Sequence, residues 1–478
     1  MTLLKEVLFL TNFLIFFYVV IVDTFYLVLL ILSLKQLRLY LQRKKYNKYE
    51  YEEISTSYLT PPVSILVPAY NEEKTIIKSM ISFLNIQYPE YEVIIINDGS
   101  NDQTLDKLIE HFKLVRTNQP YRKQLHTEEI KDIYYSIQFP QLKVIDKING
   151  GKADALNAGL NLSSYPYFCA VDADSVLEHD ALIKTMKPFM EGIDDVIVCG
   201  GIVRIAKGCK ISNGRVTEVG LPRNLIALHQ VIEYLRSFLM GRLGFSAINN
   251  LLIVSGAFGV FRKKEVLYIN GYKTDTIGED MELVIRLQRY LYDEKKSSKV
   301  LFLPDPVCWT EAPSSLKDLY KQRSRWHLGL LQCLWEHKRA IFNPTYKFMG
   351  IFALPYFLFV ELLGPTIELV GFILLLVGLY FDFVSIPFAI LFFIFTLLFG
   401  IFLSLSAVFM EEYSLRRYPK IKDLFILTLC SFVENFWYRQ LNAVWRTWAF
   451  FRAIKRDFSW GDIKRSGFEY HKPKEKPE

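Results

Sequence analysis

The chain has long apolar stretches near both ends and short apolar runs through its middle. Crossing the core of a bilayer takes about 20 apolar residues in a helix. Val7 to Leu34, Ile351 to Phe381 and Ile386 to Met410 meet that length. The first stretch has Asp23 as its only charge and lacks a small-residue cleavage site after it, so we expect a permanent anchor rather than a signal peptide.

The pattern changes between about residues 61 and 340, where short apolar runs are separated by amphipathic stretches. Four runs are typical of buried strands: "VSILVPAY" (63–70), "YEVIIINDGS" (91–100), "QLKVIDK" (141–147) and "YFCAVDAD" (167–174). Segments whose apolar residues have helical spacing follow each of the first two runs, and another such segment lies between the last two runs. This alternation predicts an α/β fold, a mostly parallel Rossmann-like sheet with helices on both faces.

The composition shifts predict five segments along the chain. They are a transmembrane anchor at 1–34, a basic juxtamembrane linker at 35–60, a cytoplasmic domain at 61–340, transmembrane and interfacial helices at 341–452, and a basic cytoplasmic tail at 453–478. Within the domain, residues 111–141 exceed an ordinary connection and are interpreted as an insertion with one short helix. The end of the tail, "HKPKEKPE", is expected to be disordered.

Basic residues flank the first apolar stretch unevenly. Lys5 precedes it, whereas six basic residues follow it within residues 35–48. Because basic loops stay on the cytoplasmic side, the middle domain should be cytoplasmic. The net charge of +7 suits contact with anionic lipid headgroups, and no nucleic-acid-binding motif accompanies it. The six cysteines form no CxxC pair, which argues against a zinc site and suits a reducing compartment.

Acidic side chains follow three of the predicted strands. Glu72 and Asp98 come after the first and second, and Asp172 and Asp174 after the fourth. Ligands of open α/β sheets bind at the carboxyl ends of strands, so these residues define a candidate site. Hard carboxylate oxygens in a D-x-D suit Mg²⁺ or Mn²⁺. The alternative is a helix cap with a solvated neighbour.

Two further segments add candidate chemistry. In "NGGKADALNAGL" (149–160), the glycines permit close approach of a ligand and Lys152 can meet a phosphate, although a tight turn into a helix is the plainer interpretation. Asp154 can simply complement the dipole of that helix. In "DTIGEDMELVIRL" (275–287), Glu279 and Asp280 begin an amphipathic helix, either as a general base or as an ordinary acidic first turn.

A basic and aromatic segment, "KQRSRWHLGL" (321–330), follows. Gln322, Arg325 and Trp326 fall on neighbouring faces of one helical turn. An arginine fork grips phosphate, and an indole is a flat platform for a sugar ring. An interfacial helix next to the apolar span is the alternative.

The ordered motifs "VPAYNEEKTI", "IINDGSNDQT", "NGGKADALN", "VDADS", "GED" and "QRSRW" resemble the membrane-embedded family-2 glycosyltransferases. That family includes cellulose, chitin and hyaluronan synthases and the bacterial poly-N-acetylglucosamine synthases. The resemblance extends from about Pro62 to Trp326 and implies a GT-A fold and inverting transfer from a UDP-sugar. "GED" stands where cellulose synthases have "TED", which keeps the carboxylates. "IVSGAFG" (253–259) occupies the place of an acceptor-contacting loop and departs from the FFCGS-like form of that loop in cellulose synthases.

The resemblance also implies residue roles on the donor side. Glu72 and Asp98 match positions that hold the nucleoside, with Asp154 beside them. Asp172 and Asp174 match the D-x-D that holds the nucleotide and its Mg²⁺ or Mn²⁺.

On the acceptor side, Asp280 matches the catalytic base, with Glu279 next to it in the motif. Gln322, Arg325 and Trp326 match the signature of processive members, in which the tryptophan stacks on the acceptor sugar.

Two functional hypotheses remain open from the sequence. The first is a processive synthase of a β-linked polysaccharide that leaves through the membrane, and the second moves one sugar to a lipid or lipid carrier. A non-catalytic scaffold is disfavoured by the intact carboxylates. Expected partners are a UDP-sugar, a glycan or lipid-linked acceptor and membrane lipid, with a small membrane subunit as a further candidate and no nucleic acid. The expected location is a bacterial or archaeal cytoplasmic membrane.

The apolar segment near the C-terminus contains two carboxylates, Glu361 and Glu368. Carboxylates within membrane segments usually face a bundle interior or a polar path. If their helix is continuous, the two share a face and can line an exit path for a glycan. Structural pairing with Arg439 or Arg446 is the alternative.

Overall fold

The computed structural model describes residues 2–46, 50–57, 59–118, 120–192 and 195–454. Nearly all of the predicted tail therefore lies outside the described residues. The strands are β1 (Val63–Ala69), β2 (Tyr91–Asp98), β3 (Leu114–Thr117), β4 (Ile130–Ser136), β5 (Leu142–Lys147), β6 (Tyr167–Val171), β7 (Ser175–Leu177), β8 (Val196–Ile205), β9 (Lys210–Ser212), β10 (Arg215–Glu218), β11 (Phe258–Arg262) and β12 (Lys299–Thr310).

The α-helices are α1 (Thr2–Tyr46), α2 (Glu50–Thr56), α3 (Ile76–Leu84), α4 (Thr104–Phe112), α5 (Lys152–Leu162), α6 (Ala181–Met190), α7 (Leu225–Leu235), α8 (Leu243–Ala247), α9 (Lys263–Tyr268), α10 (Glu279–Asp293), α11 (Leu316–Glu336), α12 (Leu354–Tyr356), α13 (Gly364–Tyr380), α14 (Ile386–Ser414), α15 (Ile421–Val433) and α16 (Tyr438–Ile454). Wider π turns follow α7 and flank α12, and a short 3-10 turn joins α15 to α16.

The chain divides into two compact units. The sheet unit takes in Leu37–Arg223 and Ile248–Ala312. The helical unit takes in Met1–Gln36, Asn224–Ala247 and the described chain from Pro313 onward. These limits differ from the predicted domain at 61–340, because α7, α8 and α11 group with the apolar helices.

The sheet unit contains a ten-stranded sheet in the order β3-β4-β5-β2-β1-β6-β11-β8-β12-β7. Its central strands β5, β2, β1 and β6 are parallel, and β11 runs antiparallel between β6 and β8. This mixed, mostly parallel sheet with covering helices confirms the predicted α/β class. The four predicted strands correspond to these four parallel strands, with buried apolar residues along each.

Helix α5 lies directly against this parallel core. All of its residues from Ala153 to Leu162 are buried. Gly159 permits the close approach, because a Cβ there would lie 3.0 Å from Ile96 Cδ1 and 3.2 Å from Leu66 Cδ2. The residue pattern of α5 is therefore set by packing on β1 and β2 rather than by an exposed face.

Residues 111–141 differ from the predicted insertion with one helix. They contain β3 and β4, which pair antiparallel and extend the sheet beyond β5. The segment "IKDIYYS" of β4 does not alternate cleanly, since several of its side chains are half-buried. Its period-2 pattern was therefore too weak to indicate a strand.

The basic stretch predicted as a linker from residue 35 continues α1 to Tyr46. Arg43, Lys44 and Lys45 occupy the last turn, where positive charge complements the helix dipole. Within the sheet unit, Tyr40 donates a hydrogen bond to Asp305, and Lys44 Nζ lies 2.8 Å from Asp305 Oδ1. The end of α1 is thereby bound to β12.

The candidate membrane spans lie wholly or largely in the helical unit. Among the described residues, Leu10–Lys45 and Ile386–Ser414 are long and apolar enough to cross a membrane. Met349–Leu362 and Gly364–Tyr380 form a pair bent by 43°, which adds a third candidate if it is one broken span. The end of the segment predicted as transmembrane and interfacial helices, 341–452, forms α15 and α16.

The bend in this pair bears on Glu361 and Glu368. The two residues lie on opposite sides of the break, so they do not share the face of one continuous helix. Arg446 donates to the carbonyl of Glu361 and lies 3.5 Å from Glu361 Oε2, and Tyr356 Oη donates to Glu361 Oε1 at 3.2 Å. These contacts match the predicted alternative of structural pairing with Arg446.

All six cysteines lie among the described residues, and all are buried and free of disulfides. Burial raises the pKa of Cys209 to about 11 and that of Cys308 to about 12. It raises the pKa of Cys169 and Cys199 as well. Because the thiolate is the reactive form, these four thiols of the sheet unit are chemically inert.

Candidate active site

The candidate site lies at the carboxyl ends of β5, β2, β1 and β6, which are neighbours in the sheet. The register of β2 and β5 places Asp98 opposite Lys147, at the end of both strands. Glu72 follows β1, and Asp172 and Asp174 follow β6. The predicted clustering of acidic side chains at this edge of the sheet follows directly from that strand order.

Lys147 is the buried cation of this edge. Its Nζ lies 2.6 Å from Asp98 Oδ1 and 2.6 Å from Asp154 Oδ1, and its side chain is fully buried. Both carboxylates are also buried. A buried charge is tolerated when it is paired and hydrogen-bonded, and these three residues satisfy that condition together. We call Asp98, Lys147 and Asp154 the ion triad.

Asp98 shapes the glycine loop that follows β5. The N–H groups of Gly150 and Gly151 donate to its two carboxylate oxygens at 3.0 and 2.8 Å, and Asn149 Nδ2 donates to its carbonyl at 2.7 Å. Gly151 has φ +85°, which a residue with a side chain rarely adopts. Besides Lys147, Asp98 therefore contacts the glycine loop after β5.

Asp154 and Glu72 are similarly engaged with the chain. The N–H of Glu128 donates to Asp154 Oδ2 at 3.1 Å, which fastens the loop before β4 to α5. Glu72 accepts a hydrogen bond from Thr75 Oγ1 at 2.7 Å, and its N–H donates to Thr104 Oγ1 at 2.9 Å. These contacts hold the turn between β1 and the start of α3 at Ile76.

Two asparagines of α5 hold further loops against this edge. Asn157 Nδ2 donates to the carbonyl of Tyr272, and Asn157 Oδ1 accepts from the N–H of Tyr272, both at 2.8 Å. Asn161 exchanges hydrogen bonds with the backbone of Leu125 at 2.8 and 2.9 Å. Helix α5 thus fixes the segment before α10 and the loop before β4.

Lys152 joins the predicted donor and base motifs. Its Nζ lies 2.6 Å from Asp172 Oδ1, 3.3 Å from Glu279 Oε1 and 3.0 Å from the carbonyl oxygen of Gly256. Burial alone lowers the pKa of Lys152, but the negative charges of Asp172, Glu279 and Asp280 outweigh it and hold this pKa above its ordinary value. Lys152 is therefore a cation.

Gly256, in the "IVSGAFG" segment, brings Asp280 into the same cluster. A Cβ at Gly256 would lie 3.1 Å from Lys152 Nζ and 3.2 Å from Asp280 Oδ2. Asp280 is the second residue of α10, where its N-terminal turn favours negative charge. The structure therefore brings Lys152, Asp172, Glu279 and Asp280 together around a position without a side chain.

Asp172 and Asp174 are the residues of this edge that fit a divalent cation. Asp172 is part-exposed and Asp174 is buried, and both lie in the turn between β6 and β7. Their hard oxygens are the donors that Mg²⁺ and Mn²⁺ prefer, with water and phosphate completing the shell. The donor set thus fits the predicted metal.

A second acidic group follows β7. Among the described residues, Glu178, His179 and Asp180 place three ligand atoms within 4.8 Å of one another. Trp309 Nε1 donates to Glu178 at 2.9 Å, however, and Lys184 Nζ lies 2.7 Å from Asp180. These contacts give the two carboxylates structural roles.

Gln322, Arg325 and Trp326 belong to α11 of the helical unit. Trp326 is 44% exposed, and the guanidinium of Arg323 lies 4.4 Å from the centre of its ring. Arg323 Nη1 in turn lies 2.8 Å from Glu233 Oε1. The tryptophan is therefore an exposed aromatic surface held by a buried arginine.

Sequence reasoning missed three residues that organise these sites: Lys147, Gly256 and Arg323. Lys147 ends an apolar strand, where a lysine is ordinarily solvated. Its position five residues before Lys152, between two acidic motifs, was the available signal. Gly256 and Arg323 stood inside noted motifs, but their contacts depend on segments distant in the sequence.

This α/β sheet, with acidic side chains at the carboxyl ends of its parallel strands, has the GT-A fold that the resemblance to glycosyltransferases implies. Two family models match: "Glycosyl transferase family 2" over residues 64–264 and "Glycosyl transferase family group 2" over residues 167–403. Together they extend over well more than half of the chain. The chain belongs to glycosyltransferase family 2.

Curated relatives include poly-beta-1,6-N-acetyl-D-glucosamine synthases. The protein from Staphylococcus epidermidis is 28% identical over 277 residues, which are 57% of this chain and 56% of the relative. That from Staphylococcus aureus strain COL is 28% identical over 272 residues, or 56% and 54% of the two chains. The match thus spans little more than half the length of these relatives.

Solved structures to which this chain is similar include the mannosyltransferase PcManGT from Pyrobaculum calidifontis in complex with GDP-Man and Mn²⁺. It has a TM-score of 0.48 and 16% identity, with 86% of this chain and 99% of that chain covered. S. aureus TarS 1–349 in complex with UDP-GlcNAc has a TM-score of 0.34 and 15% identity, with 81% and 92% covered.

Replacing Lys147 with Met should lower the free energy of unfolding by about 3–5 kcal/mol, because two buried carboxylates lose their cation. The melting temperature of the full chain in lipid nanodiscs measures the loss. Lys210→Met is the matched control, since Lys210 Nζ also lies 2.6 Å from a carboxylate, that of Glu218, but with side chains 52% and 43% exposed. Its loss should cost at most about 1 kcal/mol. Equal melting temperatures for the two variants would contradict the structural role of the ion triad.

Replacing Gly256 with Ala should reduce sugar transfer by roughly tenfold, because the new methyl group displaces Lys152 and Asp280 by a few tenths of an ångström. Release of nucleoside diphosphate measures turnover, and the melting temperature should hardly change. Gly241→Ala is the control, since the nearest atom to its added Cβ is 4.0 Å away. Unchanged turnover in the Gly256 variant would show that this glycine is not needed by the site.

Proposed function

We propose that the chain is an inverting, processive glycosyltransferase that lengthens a β-linked polysaccharide from a UDP-sugar. The observation that carries the proposal is the cluster around Gly256, in which Lys152 contacts both the D-x-D carboxylate Asp172 and the motif that contains Asp280. Leaving-group and base chemistry must act on opposite sides of one anomeric carbon. A site that joins the two motifs within a few ångströms supports such a reaction.

In the proposed reaction, Asp280 accepts the proton of the acceptor hydroxyl. The hydroxyl oxygen attacks the anomeric carbon from the side opposite the diphosphate, the carbon–oxygen bond to UDP breaks, and the configuration inverts. Asp172 and Asp174 would hold Mg²⁺ or Mn²⁺, which supplies positive charge to the departing diphosphate. Lys152 adds a protein cation on the same side.

The ion triad gives Asp98 and Asp154 a proposed role in addition to direct contact with the nucleoside. Because both carboxylates bind Lys147, their main effect is to hold the glycine loop and the start of α5 where a nucleoside can lie against them. Glu72 similarly orders the turn after β1 through Thr75 and Thr104. These residues would shape the nucleoside pocket as well as contact its ligand.

The donor sugar that we propose is N-acetylglucosamine. The support is that the curated relatives named above make poly-beta-1,6-N-acetyl-D-glucosamine. Sugar selectivity arises from pocket contacts, so this donor stands as a proposal to be tested.

We further propose that the helical unit carries the product, with the sheet unit on the cytoplasmic side of the membrane. Buried side chains in its interior, on α7 and α11, have polar atoms without a hydrogen-bond partner among the described residues: His229, Gln230, Arg323, Ser324 and His327. Buried polar groups normally find partners. Water or the hydroxyl groups of a passing glycan would satisfy them, which supports a polar path through this unit.

The function is tested by the release of UDP from a panel of UDP-sugars by the full chain in nanodiscs with Mg²⁺ or Mn²⁺. We expect UDP-N-acetylglucosamine to be used, a product of high molecular weight, and loss of at least about 99% of turnover in Asp280→Asn. Turnover limited to a small or lipid-linked product would instead support single-sugar transfer. Absence of turnover with every donor would contradict the proposal.

The role of Trp326 is tested by product length. Trp326→Ala should shorten the polymer severalfold while short acceptors still receive sugar, because a stacking platform for the chain is lost. Trp335→Ala is a closely matched control: it lies on the same helix, is 69% exposed and has Lys338 Nζ at 4.2 Å from its ring centre. If both variants make chains of wild-type length, Trp326 does not hold the acceptor.

A further inference from the structure

Lys152 contacts a carboxylate that a metal-dependent reaction would need as a ligand of the metal. Its ammonium group lies 2.6 Å from Asp172 Oδ1, one of the two D-x-D carboxylates that fit a divalent cation. A divalent cation bound by Asp172 and an ammonium group at this distance would repel each other strongly at a partly buried site. The contact with lysine and full coordination of a metal therefore compete for the same carboxylate.

We propose that Lys152 is an exchangeable counterion of Asp172. It neutralises this carboxylate while the nucleotide site is empty, and it moves to the diphosphate when the donor binds, which releases Asp172 to the divalent cation. The inference rests on the proposed function, because it takes a nucleoside diphosphate as the anion that attracts the lysine. Its consequence is that metal and nucleotide bind cooperatively.

The surroundings of Lys152 suit such an exchange, and they differ from those of Lys147. Lys147 is fully buried between two carboxylates and a backbone carbonyl, so its ammonium group is fixed. The Lys152 and Asp172 side chains are 21% and 31% exposed, so a ligand can reach this pair. A lysine ammonium on a flexible stem can follow an anion over a short distance.

Because the N–H groups of the glycine loop are engaged, Lys152 is the group beside this loop that would bind an anion. The N–H groups of Gly150 and Gly151 already donate to Asp98, so they are engaged in holding the loop. Lys152 is the next residue, at the first position of α5, where the helix dipole favours negative charge. A diphosphate at this point would meet the ammonium group that now binds Asp172.

The exchange of Lys152 couples the binding of the metal to the binding of the nucleotide. A metal that binds without nucleotide has to displace Lys152 from Asp172, whereas a metal that binds with nucleotide finds the lysine already moved. Coupling between two ligands is reciprocal and commonly amounts to 5–150-fold in affinity. The wild-type chain should thus bind Mn²⁺ at least about fivefold more tightly when UDP is present.

The test is a titration of the full chain in nanodiscs with Mn²⁺, with free Mn²⁺ measured by electron paramagnetic resonance in the absence and presence of UDP. Lys152→Gln should bind Mn²⁺ about fivefold more tightly than wild type without UDP, and addition of UDP should change its affinity less. Lys210→Gln removes the same charge from an exposed pair of the sheet unit and should behave as wild type. Asp174→Asn should weaken Mn²⁺ binding and so locate the ion.

Unchanged or weaker Mn²⁺ binding by Lys152→Gln without UDP would overturn the inference. If that variant fails to fold, Lys152→Arg is the deciding variant. A guanidinium stays paired with the Asp172 carboxylate, so this variant should not bind Mn²⁺ more tightly than wild type without nucleotide. Tighter binding would also overturn the inference. Failure of the proposed function is distinguishable, because nucleotide-free titrations need no turnover. A chain that transfers sugar but shows no effect of Lys152→Gln would refute the counterion alone.

Discussion

The burial of Lys147 between Asp98 and Asp154 is the constraint on which the rest of the sheet edge depends. A lysine without solvent is stable only while both carboxylates stay beside it, so β2, β5 and α5 are locked together where their ends meet. Asp98 then uses its remaining hydrogen-bonding capacity to fold the glycine loop. One electrostatic requirement thus determines the path of the chain into α5.

Helix α5 extends this order to the candidate catalytic residues. Its first residue carries the ammonium group that contacts Asp172 and Glu279, and its asparagines hold the segments before α10 and before β4. The fully buried Lys147 and the part-exposed Lys152 are therefore only five residues apart. Lys147 is a permanent charge of the scaffold, whereas Lys152 is part-exposed and lies where we propose that the donor binds.

The sequence predicted the parallel core and most of the candidate residues because both signals are local. An apolar run that ends in an acidic residue, such as "YEVIIIND", specifies a strand and the polar side chain at its carboxyl end without any tertiary information. The partners of Lys147 and Gly256 could not be predicted, since they depend on the register of β2 with β5 and on the approach of α10. Similarly, α7 and α11 look like parts of the sheet domain in sequence, but packing assigns them to the helical unit.

The six buried cysteines have a practical consequence for following this chemistry. A chain whose own thiols are shielded is a natural background for site-directed labelling, because a cysteine introduced at an exposed position would react almost alone. The hairpin of β9 and β10, with the half-exposed Lys210, offers such a position in the sheet unit. Spectroscopic probes can therefore be attached to this chain without first rebuilding its core.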